Sequence, residues 1–377
     1  MRLGELISPA KVGRCGDREL PILSITKQDG IVFQSEKFKK KVASADVSSY
    51  KVVPRGKLVQ GIHIDEANFG IQDLVDEGIV SPAYKIWDVN EKLVLPEYLA
   101  AALRSECCIA YYRKNLSGTV HRRGRMSNEV FYALEINIPS LDEQLKSIRT
   151  LDEVLAERMA LSAQLDMLDE LVKSRFVEMF GDPIENSKHL PIMRIDEIAD
   201  VQTGATPLRS NAKYYGGLIP WVKTGEVAAG LLDDAKETIT ELALQETNCK
   251  LFPAGTILVA MYGQGDTRGK AAILRQASAT NQACAAILLD DGYDADFILA
   301  QLNLRYEDLR SRSLGGNQKN LSLKIIKAYG LVIPPAEQQK AFMSFVRQVD
   351  KLKFETQQAI DKLQMLYDSL AQEYFGS

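Results

Sequence analysis

The side chains suited to polar chemistry in this sequence gather in short glycine-bearing runs, and their types favour gripping and reading a polyanion over breaking bonds. Two such runs end alike in serine: Ser117-Gly118-Thr119-Val120-His121-Arg122-Arg123-Gly124-Arg125-Met126-Ser127 and Ser313-Leu314-Gly315-Gly316-Asn317-Gln318-Lys319-Asn320-Leu321-Ser322. Arg and Lys neutralise phosphates, while Arg on guanine and Asn or Gln on adenine make bidentate base contacts. His121, Arg122, Arg123 and Arg125 in the first run and Asn317, Gln318 and Lys319 in the second are therefore candidate nucleic-acid ligands. A third run, Met261-Tyr262-Gly263-Gln264-Gly265-Asp266-Thr267-Arg268-Gly269-Lys270, adds Gln264, Thr267, Arg268 and Lys270, and the run Ile219 to Gly225 adds Lys223 and Thr224.

Bond-breaking chemistry finds little support. A phosphate-binding loop needs four residues between its glycines and Ser or Thr after Lys. Here Gly263 to Gly269 encloses five, Gly265 to Gly269 three, and Ala271 follows Lys270. The sequence has no Asn- or Asp-Pro-Pro-aromatic tetrad, no Pro-Asp pair to begin a nuclease metal motif and no GxSxG elbow. Its five cysteines show no CxxC spacing, and His63, His121 and His189 are scattered, so neither structural zinc nor a disulfide framework is expected. We expect no catalytic residues, no metal and no cofactor in this chain.

Loops act together only if something fixes their positions, and the sequence supplies a long helix twice. Asp142 to Phe180 reads DEQLKSIRTLDEVLAERMALSAQLDMLDELVKSRFVEMF, and Glu337 to Phe375 reads EQQKAFMSFVRQVDKLKFETQQAIDKLQMLYDSLAQEYF. Ile138-Pro139-Ser140 leads into the first and Ile333-Pro334-Pro335 into the second. One offset of 195 aligns Phe180-Gly181 with Phe375-Gly376, Asp166 with Asp361, Leu168 with Leu363 and Leu171 with Leu366. So long a period marks a duplicated half-molecule and not a solenoid. Phe342, Phe345, Val349, Leu352, Thr356, Ile360, Leu363, Tyr367, Leu370 and Tyr374 recur at steps of three and four, the pattern of a coiled-coil seam. Val154, Leu161, Leu165, Leu168, Val172 and Met179 draw a similar seam in the first copy, widened by Leu151 and Leu155 and interrupted by Arg158. Each helix spans roughly 55–60 Å at 1.5 Å per residue and needs a partner for its apolar face. The globular segment between them is long enough to restart the second helix at the far end of the first, which predicts an antiparallel pair.

The globular parts also repeat. Met1-Arg2-Leu3-Gly4-Glu5-Leu6-Ile7 resembles Met193-Arg194-Ile195-Asp196-Glu197-Ile198-Ala199, so the first globular segment is expected to begin at the N-terminus with no catalytic domain before it. Val53-Pro54-Arg55-Gly56 and Phe252-Pro253-Ala254-Gly255 are both Pro-x-Gly turns leading into apolar strands. A second apolar run follows (Ile79 to Ile86; Cys284 to Leu289), then a short helix (Pro96 to Leu103; Asp296 to Leu304). The chain thus divides into a globular segment over 1–140, a long helix over 141–181, a linker over 182–189, a second globular segment over 190–333 and a second long helix over 334–377. The fold class expected is α+β: two similar mixed α/β domains separated by two long antiparallel coiled-coil helices, an internal pseudo-twofold repeat.

With 46% hydrophobic and 25% charged residues, the chain of 377 has the composition of an ordinary globular protein. No signal peptide or membrane span is apparent, so a cytoplasmic location is expected. The net charge of −4 is uneven: residues 1–140 carry +3, 141–189 carry −5, and 190–333 and 334–377 carry −1 each. The acidity sits around the first long helix, leaving the globular segments near neutral, where local basic clusters can still attract phosphate.

Thr203-Gly204-Ala205-Thr206-Pro207, Tyr214-Tyr215-Gly216-Gly217, Ile219-Pro220-Trp221-Val222-Lys223-Thr224-Gly225 and Asn320-Leu321-Ser322 through Ile333-Pro334-Pro335-Ala336-Glu337-Gln338 together resemble the specificity subunits of type I restriction-modification systems. The first half keeps Pro54-Arg55-Gly56, Pro96-Glu97-Tyr98-Leu99 and Ile138-Pro139-Ser140-Leu141-Asp142-Glu143-Gln144 but lacks the Thr-Gly and Trp-Val-Lys-Thr signatures. The resemblance implies two target-recognition domains, each reading one half of a bipartite site in double-stranded DNA, held apart by the antiparallel helices, which also dock two methyltransferase (modification) subunits. Those subunits would carry S-adenosylmethionine and methylate adenine, and a separate restriction or motor subunit would use ATP. The alternative from the residues alone is a non-catalytic coiled-coil scaffold, which a DNA mobility-shift assay distinguishes.

Overall fold

The computed structural model describes residues 1–26, 30–37, 46–116, 126–229, 231–263, 265–313 and 320–376. They form two compact units, Met1–Ala163 with Thr356–Ser377, and Gln164–Glu355.

The second unit is built on a five-stranded sheet in the order Ala199–Thr203, Cys284–Leu289, Ile257–Ala260, Ala271–Leu274, Leu231–Leu232, antiparallel except at its last pair. The Pro253-Ala254-Gly255 turn delivers the chain into the central strand with Gly255 at φ 88°, a conformation that a side chain disfavours. Ile257, Leu258, Val259 and Ala260 are all fully buried, so this strand is covered on both faces. A second sheet pairs Tyr215–Val222 with Thr238–Ile239 and Ser278–Thr280, and Ser278–Thr280 with Leu251–Phe252.

The first unit has the same plan with fewer strands among the described residues: Ile7–Pro9, Lys85–Val89, Leu58–Gln60, Phe69–Ile71, all antiparallel. Leu58 opposite Trp87 repeats Ile257 opposite Ile287. The apolar run Ile79 to Ile86 does not form one strand as its counterpart does. Ser81-Pro82 breaks it: the Ser81 carbonyl accepts from the Tyr84 N–H at 3.0 Å, leaving Glu77–Val80 on Lys51–Pro54 and Lys85–Val89 in the main sheet. The paired Ser127 and Ser322 each cap a short helix, accepting from Val130 and Ile325 N–H groups at 3.3 Å.

The long helices span Leu141–Phe180 and Ala336–Phe375, and each gives one end to each unit. Ser140 and Glu143 form a reciprocal cap at the first, with the Ser140 N–H on Glu143 Oε2 at 2.9 Å. Gln144 and Gln339, one repeat apart, are both buried. Gln144 accepts from the Leu95 N–H at 2.8 Å and donates to the Pro139 carbonyl at 2.9 Å, and Gln339 donates to the Pro334 carbonyl at 2.8 Å. In the first unit Arg158 donates to Gln364. In the second, Lys353 donates to Asp169, Arg175 lies 5.8 Å from the Phe345 ring and Phe176 meets Phe342 at 5.5 Å. In the second unit rising numbers on one helix meet falling numbers on the other, so there the segments run antiparallel. The polar interruption at Arg158 is thus satisfied across the pair.

The seam differs from expectation at Leu352, which is 48% exposed. Val349 is followed on that face by the half-buried Lys353, whose ammonium pairs with Asp169. Phe176 and Phe180 extend the first seam. Each helix end then closes a module: Phe180 packs on Phe297 at 5.6 Å in the second unit, and Phe375 packs on Tyr98 at 5.1 Å in the first. Tyr98 and Phe297 sit at the same place in equivalent short helices, Pro96–Leu103 and Ala295–Leu304. Among the described residues, no helix is long and apolar enough to cross a membrane.

Candidate nucleic-acid interface

Strand register in the second unit sends several loops out of one end of the main sheet. Thr203 lies opposite Ala285, Ala260 opposite Cys284 and Val259 opposite Ala271, so two strands finish and two begin at that end. The segments leaving it are 204–214, 261–270 and 281–283. In the second sheet Val222 lies beside Thr280, which starts Lys223 and Thr224 next to Asn281. Met261 donates its N–H to the Ala283 carbonyl and accepts from the Leu321 N–H, both at 2.9 Å, drawing in the edge of the 313–322 run. Lys223, Thr224, Thr267, Arg268 and Lys270 therefore belong to loops at one sheet end. Gln264, Asn317, Gln318 and Lys319, and in the first unit His121, Arg122, Arg123 and Arg125, lie outside the described residues.

These loops are held firmly. The hairpin closes through Gly269 N–H to the Ala260 carbonyl at 2.8 Å and is tied to the helix Tyr306–Ser311 by Arg310 on the Gly265 carbonyl at 2.6 Å and the Tyr306 hydroxyl on the Asp266 carbonyl at 2.8 Å. A Cβ at Gly204 would stand 1.8 Å from the Thr280 carbonyl oxygen, so only glycine lets the 204–214 loop leave the sheet there. Trp221 is buried and donates its indole N–H to the Ala205 carbonyl at 3.1 Å, and the Tyr215 hydroxyl donates to the Pro207 carbonyl at 2.6 Å. Arg209 lies 4.8 Å from both the Tyr215 and Trp221 rings, a cation–π arrangement that orients its guanidinium.

Lys223 is not free to swing. Its ammonium donates to Glu237, which also takes Arg209 at 2.6 Å, while the Lys223 N–H donates to Glu226 at 2.8 Å. Lys223 first, then Arg209, hold the Glu237 carboxyl below the usual carboxylate range. Thr224 donates to Asn281 at 3.2 Å, and Thr206 to Gln282 at 2.5 Å. Arg209, Asn281 and Gln282 stand at this end without having been singled out from sequence: Asn281-Gln282 joins two strands without Gly or Pro, and Arg209 acts through rings five or more residues away.

The chemistry available here is hydrogen bonding and charge. Cys284, behind Thr224 and Asn281, has its thiol pushed up to about 11 by burial, so it stays protonated at neutral pH and is a poor nucleophile. Among the described residues no three His, Cys, Asp or Glu side chains come together to hold a metal.

Residues 189–364 match the type I restriction modification DNA specificity domain. The specificity subunit of the Escherichia coli type I restriction enzyme EcoR124I/EcoR124II is 22% identical over 245 residues, covering 62% of this chain and 59% of that one. That of Methanocaldococcus jannaschii MjaIX is 27% identical over 170 residues, covering 44% of this chain and 39% of its own. The alignments therefore span from two-fifths to three-fifths of these curated relatives. In fold, the chain is similar to one from a structure of complex assembly and conformational transition in a type I R-M system, with TM-score 0.68, 17% identity and 99% and 96% of the two chains covered. It is also similar to the type I restriction-modification S subunit from M. genitalium, with TM-score 0.54, 14% identity and 100% and 96% covered. With the specificity domain matched in its second half and specificity subunits among its relatives, the chain is similar to the type I restriction-modification specificity subunits.

Proposed function

We propose that this chain is the DNA-reading subunit of a type I restriction-modification complex, with each unit reading one half of a bipartite site in double-stranded DNA. The observation that carries the reading is the gathering of polar, positively charged loops at one sheet end of the unit that holds the specificity domain. On this reading residues 1–140 and 190–333 are the target-recognition domains, and the long helices space them and dock two methyltransferase subunits. The methyltransferases supply S-adenosylmethionine and modify adenine, a restriction or motor subunit uses ATP, and this chain supplies no bond-breaking group and works in the cytoplasm beside the DNA. Co-expression with the methyltransferase and mapping of methylated adenines tests it: two short half-sites across a fixed gap are expected. A mobility-shift assay that finds no duplex binding would leave the coiled-coil scaffold reading in its place.

Direct contacts are assigned to Lys223, Thr224, Gln264, Thr267, Arg268, Lys270, Asn317, Gln318 and Lys319 in one unit and to His121, Arg122, Arg123 and Arg125 in the other. Neutralising Arg122, Arg123, Arg268 and Lys270 together is expected to make the slope of log affinity against log salt shallower by about two to four. Unchanged slope and affinity would remove these side chains from the interface. Glu237→Gln has the opposite expectation. It takes away the negative charge that occupies Lys223 and Arg209, so binding to all duplexes should tighten and the slope steepen by about one. Weaker binding would mean that Glu237 acts by positioning those two cations.

A further inference from the structure

We propose that Lys11, Lys51 and Lys85 of the first unit, with Trp87 and Asn128, form a pocket that holds a backbone phosphate of bound DNA. The inference rests on the DNA-reading function above and extends it to a part of the first unit that the sequence runs did not mark.

The residues line a cavity of about 700 Å³ in which no carboxylate takes part. Lys51 donates to the Tyr84 carbonyl at 2.6 Å, and Lys85 donates to Asn128 Oδ1 at 2.9 Å with its ammonium 5.8 Å from the Trp87 ring. These anchors are neutral and fix both ammoniums in place, leaving each with further N–H donors. Among the described residues neither lysine has an ion-pair partner. Lysines elsewhere in the molecule find carboxylates, as Lys57 does on Asp88 and Lys223 on Glu237. Burial holds both Lys51 and Lys85 below the ordinary lysine value, and the Lys51 charge depresses Lys85 further. Two cations brought together at a cost, without a counter-charge, suit an anion that arrives from outside.

The position in the fold narrows the anion. Pro9 lies opposite Trp87, and Gln60 opposite Lys85, which marks the sheet end equivalent to the one that carries the polar loops in the second unit. Lys85 stands where the second unit has the buried Ala285, and Lys51 where it has Lys250, whose ammonium is taken by Gln202 at 2.8 Å. The first unit therefore carries two lysines where the second carries one lysine, held by Gln202, and a buried alanine. Asn128 follows the Arg-bearing run 117–125 by three residues, so the pocket adjoins that run along the chain. A phosphodiester beside a base-reading loop supplies the missing charge, and it carries no sequence information itself.

The test uses the full chain with Lys51→Met and Lys85→Met together, which keeps the apolar stems, and measures duplex affinity by fluorescence anisotropy from about 50 to 200 mM salt. The variant should show a slope shallower by about one to two for every duplex, so its loss of affinity across that range is about four- to sixteenfold smaller than wild type's. The methylated half-sites should be unchanged, and Lys51→Arg with Lys85→Arg should restore the slope. Melting like wild type's identifies a folded variant, and the Arg pair keeps the test decisive if the Met pair does not fold. A wild-type slope in the folded Met variant overturns the pocket alone. Binding of inorganic phosphate that depends on both lysines, with DNA slopes unmoved, overturns DNA as the source of the phosphate. Wild-type chain that binds no duplex overturns the DNA-reading function, and this ligand with it.

Discussion

Phe180→Ala is expected to destabilise the second unit by about 3–5 kcal/mol, a large part of what a domain of this size has to lose. The ring is fully buried and meets Phe176 at 5.0 Å, Phe297 at 5.6 Å and Phe342 at 5.6 Å, so its removal opens a cavity among three aromatic neighbours from both long helices and the short helix Ala295–Leu304. Those rings cannot collapse into the gap without moving a helix. Phe375→Ala, the equivalent change in the first unit, should cost less, because Tyr98 is the one ring from another helix that meets it among the described residues. Denaturant unfolding of the two variants checks both the size and the order. A loss below about 1 kcal/mol for Phe180→Ala would mean that the helix end is not needed to close the unit.

Lengthening both long helices is the second large effect, and its readout is the DNA site. Four residues placed between Ala163 and Gln164 and four between Glu355 and Thr356 fall where the chain passes from one unit to the other. Each insertion adds roughly 6 Å of rise and about 40° of rotation. Inserting in both helices preserves the antiparallel match between Arg158 and Gln364 and between Lys353 and Asp169, which a single insertion would break. Under the proposed function, the gap between the half-sites lengthens by about one or two base pairs at roughly 3.4 Å each, with the bases within each half unchanged. Two residues per helix would turn the seam by about 200° and should damage folding. Methylation mapping of the four-residue variant that returns the parental gap would make the helices docking surfaces only.

Much of this was legible because repetition and periodicity are properties of the chain itself. The offset between Phe180 and Phe375 announced two equivalent helix ends, and the Pro-x-Gly turns announced the two central strands. Leu352 was misplaced because a step of three and a step of four are equally good helix spacings, and only the Asp169 carboxylate on the facing helix selects Lys353 instead. The break at Ser81-Pro82 was hidden by apolar residues on both sides. At the candidate site, glycine-bearing loops could be read because their composition is unusual. Arg209, Asn281 and Lys85 could not, since each is an ordinary polar residue until the fold sets it beside Trp221, Thr224 or Asn128.

The closing of each module by a helix end from the other half of the chain sets the order in which the protein can be finished during synthesis. Residues 164–355 are contiguous, and that unit holds everything it needs once Glu355 is made. The unit that begins at Met1 emerges first and is completed last. Among the described residues Tyr98 finds its ring partner at Phe375, and its hydroxyl donates to the Tyr374 carbonyl, 276 residues further along. At about 5–20 residues per second that wait is on the order of tens of seconds. Through it, the ring of Tyr98 stays uncovered on that side, which makes the early half of the chain the part that most needs a holding chaperone.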